Sequence, residues 1–207
     1  MPNLNFGDFN TSATISGSEF LVGYRAPVSG GEMKTTTTTL RNFMYSGLSL
    51  WIPASQFIPR TTSGAGVDSR ELGVNNYDEL LFDPAAAEFA QALTAMPTEY
   101  NNGLIRTRFS WTASGSTGSV VWGAQALSIL NTSGLSDSFG AAAFATGSIT
   151  SNNTLSITNS SNLNSLAGTI TANRLALLQI YRDAANAQDT LSVDARLLGV
   201  ELIYNIV

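Results

Sequence analysis

The sequence predicts an all-β protein, a jelly-roll-like β-sandwich of about eight strands preceded by an N-terminal β-hairpin arm. Three observations carry this. In Leu104–Thr112, side chains alternate with the two-residue period of a half-buried strand. Ile105, Thr107, Phe109 and Trp111 share one face, and Arg106, Arg108 and Ser110 the other. About eight β-prone runs are separated by clusters of Gly, Pro, Asn, Asp and Ser, the punctuation of a sandwich or barrel. The composition is 43% hydrophobic and only 12% charged, with Thr, Ser, Asn, Ala and Gly abundant. That is too apolar for disorder and suits strands joined by polar turns.

Residues 1–46 read as an arm and hairpin, residues 47–207 as the sandwich. Met1–Thr14 is polar apart from Phe6 and Phe9, and reads either as a frayed terminus or as an arm seated in a partner. Glu19–Arg25 and Glu32–Thr39 are two short strands around a turn over Pro27–Gly31, where Gly30 and Gly31 give the hairpin signal. The Thr35–Thr39 run is β-branched and belongs to the second strand rather than to a spacer. Thr39–Met44 fits one helical turn capped by a threonine. A ribbon this small buries little by itself and needs a partner.

The body opens with Leu50–Pro53, a short apolar strand closed by proline, and Gln56–Arg60 repeats the style. Thr61–Asn76, rich in Gly, Ser, Thr and Asn, reads as a long surface loop. Tyr77–Phe82 is a strand. Asp83–Leu93 carries conflicting signals, since an aspartate cap, a first-turn proline and an alanine run start helices. It is short, however, lies between strands and runs into Met96-Pro97. A turn at Pro84–Ala87 and a strand over Glu88–Ala95 fit better. After Leu104–Thr112 the chain turns at Gly115–Gly118. Strands follow at Ser119–Leu130, Phe139–Ile149, Thr154–Thr158, Arg174–Asp183 and Ser192–Val207, with a loop at Asn131–Ser138 and a polar linker after Thr158. The last strand should tie the C-terminus into a sheet.

Two absences limit the chemistry. With no cysteine and no histidine, disulfides, thiolates, Ser-His-Asp triads and the usual zinc sites are excluded. The chain is expected to be no enzyme, with no catalytic residue, cofactor or metal. A net charge of −5 and a single lysine, Lys34, argue against nucleic acid. No apolar run reaches the ~18 residues of a membrane span, and the N-terminus lacks a signal peptide's pattern.

The remaining candidates each have a bland alternative. Asp183, Asp189 and Asp194 with Asn186 could ligate calcium, or simply close the turn beside Arg182 and Arg196. Asp83 with Glu88, or Glu99 with Asp78, could be posed as glycosidase carboxylates, though a capping role fits them better. Trp51, Trp111, Trp122, Tyr77, Tyr100 and Tyr181 could stack on sugars, but alternation assigns Trp111 and Trp122 to the core. Thr61–Asn76 and Tyr100–Asn102 are the loops best placed for surface recognition.

Ser18-Glu-Phe-Leu-Val-Gly-Tyr-Arg25, Gly31-Glu-Met-Lys-Thr-Thr36 and Leu40-Arg-Asn-Phe-Met44 resemble the N-terminal attachment hairpin of bacteriophage tail fibres. The body is similar to a β-sandwich domain of phage structural proteins. That similarity runs from Ile52-Pro-Ala54 through Phe82-Asp-Pro84, Ala95-Met-Pro97, Val121-Trp-Gly123 and Tyr181–Asn186 to Val193–Leu197. The resemblance implies a virion protein made in the host cytoplasm, a short tail fibre or fibre-root adaptor with a homotrimeric knob. Phe20, Val22, Tyr24, Met33, Leu40 and Phe43 would dock the hairpin on a tail or baseplate protein, and the knob would face a host glycan or protein. A trimeric capsid decoration protein gripping the major capsid protein is the alternative, and a carboxylate-based glycan-cleaving enzyme a remote one. The coiled-coil or β-helical shaft of long fibres has no counterpart in the sequence.

Overall fold

A computed structural model of the chain describes residues 20–24, 32–36, 48–129, 131, 136–163 and 170–206. The chain divides into two compact units, Met1–Ser46 and Gly47–Val207. In the first, β1 (Phe20–Tyr24) and β2 (Glu32–Thr36) pair antiparallel, with Val22 opposite Lys34 and Gly23 opposite Met33. The turn between them, the Phe6 and Phe9 arm, and the Thr39–Met44 turn with Leu40 and Phe43 lie outside the described residues.

The second unit is a β-sandwich. It starts with β3 (Leu48–Pro53), a 3-10 turn at Ala54–Gln56, β4 (Ile58–Pro59) and β5 (Gly66–Leu72). Eight further strands follow: β6 (Asn75–Phe82), β7 (Phe89–Ala95), β8 (Tyr100–Thr112), β9 (Gly118–Ile129), β10 (Ala143–Ile149), β11 (Ser156–Asn162), β12 (Leu175–Arg182) and β13 (Ala195–Ile206). They divide between two antiparallel sheets in the orders β6-β13-β8-β11 and β7-β12-β9-β10, with β9 and β10 as consecutive neighbours. This is the strand order of a jelly roll, as expected from the sequence. β5 extends the first sheet beyond β6 and β4 the second beyond β7, while β3 pairs with β13 on the edge it shares with β6. The sheets therefore have six and five strands.

Alternation places the core. Ile105, Thr107, Phe109 and Trp111 of β8 all point inward and are buried, as their spacing requires. From the facing sheet come Val120, Trp122, Ala124 and Ala126 of β9 and Ala176, Leu178 and Ile180 of β12. Trp122 sits at the centre. It stacks on Phe109 (5.3 Å between ring centres) and meets Phe82 and Trp111 edge to face (5.3 and 5.9 Å). The alanines opposite such large rings keep the layer near the ~10 Å spacing of packed sheets. Two hydroxyl pairings cross the buried strands: Trp111 Nε1 donates to Thr158 Oγ1 (2.9 Å), and Thr107 Oγ1 lies 2.7 Å from Ser160 Oγ; the Thr112 hydroxyl is buried without a partner among the protein atoms.

Three expectations change. Residues 61–76 are mostly a hairpin: β5 turns through Gly73 and Val74 directly into β6. Gly73 has φ +68, which suits glycine in the first central place of a two-residue turn. β5 is an edge strand, mostly exposed and without apolar alternation, so it lacks the signal that marks strands. Tyr100–Asn102 is the start of β8 rather than a recognition loop. There Tyr100 is buried, donates its hydroxyl to the Gly103 carbonyl (2.6 Å) and packs on Tyr204 (6.1 Å). Thr154–Thr158 gives way to Ser156–Asn162, a strand running into the stretch read as a polar linker and irregular between Asn159 and Asn162. The conflict at Asp83–Leu93 resolves as a bend over residues 84–86 followed by β7, without a helix.

Candidate functional site

The two outer faces of the sandwich differ in chemistry. On the five-stranded sheet, register places side chains in rows across the strands. Phe89, Tyr181 and Gly123 lie in one row, with Phe144 of β10 opposite Gly123. Tyr181 packs against Phe89 (5.1 Å) and edge to face with Phe144 (6.2 Å). Its ring covers Gly123, where a Cβ would come within 2.4 Å of Tyr181 Cζ; only glycine admits the ring there. The Arg60 guanidinium lies over Phe89, 4.9 Å from the ring centre.

The next row is a ladder of amides. Gln91 Nε2 donates to Gln179 Oε1 (2.8 Å), Gln179 Nε2 to Gln125 Oε1 (2.8 Å), and Gln125 Nε2 to the Gly140 carbonyl (2.9 Å). Beyond it Leu93, Leu177 and Leu127 form an aliphatic row, followed by Ala95, Leu175 and Ile129. Ile58 of β4 lies opposite Gln91. Ile58, Leu93, Phe144 and Leu175 are 74, 59, 45 and 43% exposed. Among the described residues, no outward position of these five strands carries a charge. Burial, and secondarily the Asp183 carboxylate, raise the Tyr181 pKa above its ordinary value, so the hydroxyl stays protonated.

The outer face of the six-stranded sheet is charged and ion-paired. Arg196 bonds Glu79 and lies 3.5 Å from Asp68; Arg108 bonds Glu201 across β8 and β13. The Ser49 hydroxyl, and then Arg108, hold the Glu201 carboxyl below its ordinary pKa, against the opposing effect of burial. A folded pKa below the unfolded one stabilises the fold above the unfolded value, and the gain is lost as pH falls through the folded one. Glu201→Gln should therefore flatten the acid limb of a melting-temperature profile from the ordinary value of 4.5 downward. An unchanged acid limb would remove Glu201 from that role.

The carboxylate candidates serve turns. Asp189 takes a two-pronged bond from Arg182, with Arg182 Nε 3.0 Å from Oδ2 and Nη2 2.6 Å from Oδ1, and accepts the Val121 amide (3.1 Å). Arg182 is fully buried and also donates to the carbonyls of Phe82 (3.1 Å), Val193 (2.8 Å) and Leu191. Asp183 accepts from Asn186 (3.2 Å), so the turn is closed by Asp side chains with Arg182 as neighbour. Arg196 is engaged elsewhere, with Glu79 and Asp68. Among the described residues no group of three or more acidic side chains is placed to hold a metal ion. Glu88 accepts the Asp83 amide (2.8 Å) and Asp83 accepts the Ala85 amide (2.6 Å), which makes both capping groups of one bend. Asp78 accepts the Ser69 hydroxyl (2.7 Å), and Glu99 is exposed in the turn before β8.

Of the aromatic candidates, Trp111, Trp122 and Tyr100 are buried, Tyr77 is half-buried on β6, and Trp51 is half-exposed against Gly199. Tyr181 alone joins an aromatic row on the outer face of the five-stranded sheet. A shallow depression of about 430 Å³ on the β5–β6 hairpin is lined by Ser69, Arg70, Glu71, Asn76, Tyr77 and Asp78. In the first unit, the ladder puts the positions of Phe20, Val22 and Tyr24 on one parity and Met33, opposite Gly23, on the other. Phe89, Gln91, Gln125, Gln179, Leu93 and Phe144 were not singled out by the sequence. Their only signal is like residues on strands whose pairing the fold alone supplies.

No protein-family model matches the chain, and no curated protein does. Among solved structures it is similar to a family 11 carbohydrate-binding module from Clostridium thermocellum in complex with a β-1,3-1,4-mixed-linked tetrasaccharide. That similarity has a TM-score of 0.40 at 13% identity and covers 77% of this chain and 97% of that one.

Proposed function

We propose that the chain is a structural and binding protein of a bacteriophage particle, without catalytic activity. In this reading it is a short tail fibre or fibre-root adaptor, homotrimeric through its body. The observation that carries the reading is the division into a small unit with a two-stranded ribbon, Met1–Ser46, and a jelly roll closed by its own strands, Gly47–Val207. A ribbon of two five-residue strands is marginal in water and gains persistence from a docking surface. Strand addition at a sheet edge is one such mode, with backbone bonds supplying affinity and alternate side-chain positions supplying specificity. Phe20, Val22, Tyr24, Met33, Leu40 and Phe43 are the docking residues of this proposal. The engagement of the acidic residues in bends and ion pairs supports the non-enzymatic reading.

Deletion of residues 1–44 tests it. The truncated chain should remain folded, with a cooperative unfolding transition, and should be missing from particles assembled in an infected host. Incorporation at the full-length level would overturn the docking role, and unfolding of the truncated body would overturn the two-part design. Copy number per particle, by quantitative mass spectrometry, then separates a tail appendage from a capsid decoration. Small multiples of three point to the tail and hundreds to the shell.

A further inference from the structure

Resting on that reading, we propose that the outer face of the six-stranded sheet around Trp51 is a saccharide-binding surface, suited to a sugar chain that bears carboxylates. It gives the host-facing body a defined contact.

Trp51 is the platform. Of the three tryptophans, Trp111 and Trp122 are fully buried, while Trp51 is 47% exposed. Trp51 faces outward on β3 because its neighbour Ile52 faces the core. Its indole rests on Gly199 of the adjoining β13, where an added Cβ would come within 2.6 Å of Trp51 Cη2. Any other residue there would lift the ring off the backbone. β13 also shifts register between Leu197 and Gly199, an irregularity of the kind that re-aims side chains. The sheet is thus shaped to hold a half-exposed aromatic against its backbone, with the remaining ring surface turned to water. Such a surface takes the apolar C–H face of a sugar ring.

Polar groups stand beside it in register. Trp51 lies opposite Glu201, Glu201 opposite Arg108 and Arg108 opposite Asn159, a row that crosses β3, β13, β8 and β11. Successive spacings of ~4.8 Å make this row about 14 Å long, the reach of a short oligosaccharide. The Glu201 ion pair occupies Nε and Nη2 of Arg108, and the other guanidinium N–H groups can serve hydroxyls. Ser49 and Asn159 are exposed at its sides.

Charge selects carboxylates. Arg106 lies in the next row, opposite Ile203, is exposed, and has no acidic partner among the described residues. Arg106 and Arg108 against Glu201 leave these rows positive on a chain whose net charge is −5. A guanidinium fork matches a carboxylate in geometry as well as in sign.

The test runs the full chain in native affinity electrophoresis through polygalacturonate, alginate or hyaluronate, with dextran as the neutral comparison. At least one acidic polysaccharide should retard the wild type, and dextran should not. Trp51→Ala should weaken that binding at least ~10-fold. Arg106→Gln should weaken it at low salt and less at high salt. Leu93→Ala, on the outer face of the other sheet, should match wild type. Oxidation by N-bromosuccinimide gives a second reading on the unmutated chain. Peptide mass spectrometry should find Trp51 oxidised ahead of Trp111 and Trp122, and bound polysaccharide should slow its oxidation. No retardation by any acidic polysaccharide, retardation by dextran alone, or equal retardation of Trp51→Ala overturns the proposal. So does Trp51 oxidation at one rate with and without polysaccharide, and so does tighter binding of oligo(dT). Particle incorporation reads out the virion proposal separately. Failure of this surface alone would leave the full chain in particles and the 1–44 deletion missing from them; failure of the virion reading would leave the polysaccharide binding intact.

Discussion

Arg182→Met is expected to destabilise the body by about 3–5 kcal/mol, the cost of removing one partner from a buried charge pair. The guanidinium is fully buried, and the side chain of Asp189 is only 2% exposed. Taking the cation away leaves a carboxylate with the Val121 amide but no counter-charge. It also frees the carbonyls of Phe82 and, from the stretch before β13, of Leu191 and Val193. Urea unfolding followed by tryptophan fluorescence measures the effect through the shift in midpoint. Asp189→Asn should cost a comparable amount, since it removes the counter-charge of a buried guanidinium and turns one of two accepting oxygens into an NH2 donor facing the Arg182 or Val121 N–H groups. A loss under about 1 kcal/mol for Arg182→Met would mean that the turn over residues 183–194 is held by its backbone bonds alone.

Trp122→Ala should cost about 3–5 kcal/mol, the range for truncating a large aromatic in a packed core. Trp122 contacts Phe82, Phe109 and Trp111 at once, so the cavity opens between both sheets and cannot close without moving β8 and β9 together. Against a total of 5–15 kcal/mol for an ordinary domain, that is a large fraction. Trp122→Phe separates volume from polarity. Its indole N–H is buried and has no partner among the protein atoms, so phenylalanine removes an unsatisfied donor while leaving a smaller void. The phenylalanine variant should therefore lose less than half of what alanine loses, measured by the same unfolding curves. Equal losses would mean that the N–H is satisfied by water.

The architecture was legible where one face of a strand is dry. Ile105 to Trp111 announce β8 because each inward side chain is apolar or, in Thr107, small and paired within the core. β5 was not legible, since an edge strand that exposes Val67, Glu71 and Leu72 follows no alternation for a period to reveal. Proline and the alanine run after Asp83 say helix locally. The sheet overrides them because Ala90 and Ala92 face the core while Phe89, Gln91 and Leu93 face out.

The candidate site was harder for a different reason. Gln91 and Gln179 are 88 residues apart and Gln179 and Gln125 are 54 apart, and only the order β7-β12-β9 makes them neighbours. Glutamine carries no charge and no special spacing, so nothing in the linear string marks it. The pairing of Arg182 with Asp189 rather than with Asp183 or Asp194 has the same origin. Which acid Arg182 takes depends on where the turn folds back, and that is a property of the backbone. Of the hairpin residues, Leu40 and Phe43 lie outside the described residues.

β13 runs between β8 on one side and β6 with β3 on the other, so that Arg196 reaches Glu79 across 117 residues. On the ribosome this has a temporal meaning. Every earlier strand of the six-stranded sheet emerges with an unsatisfied edge, and the strand that closes it is synthesised after all of them. Loop closure over so long a stretch is slow, and open edges on a growing chain invite pairing between neighbouring nascent copies. A cell making this protein in quantity must hold those copies apart, or hold them open, until the last strand is delivered.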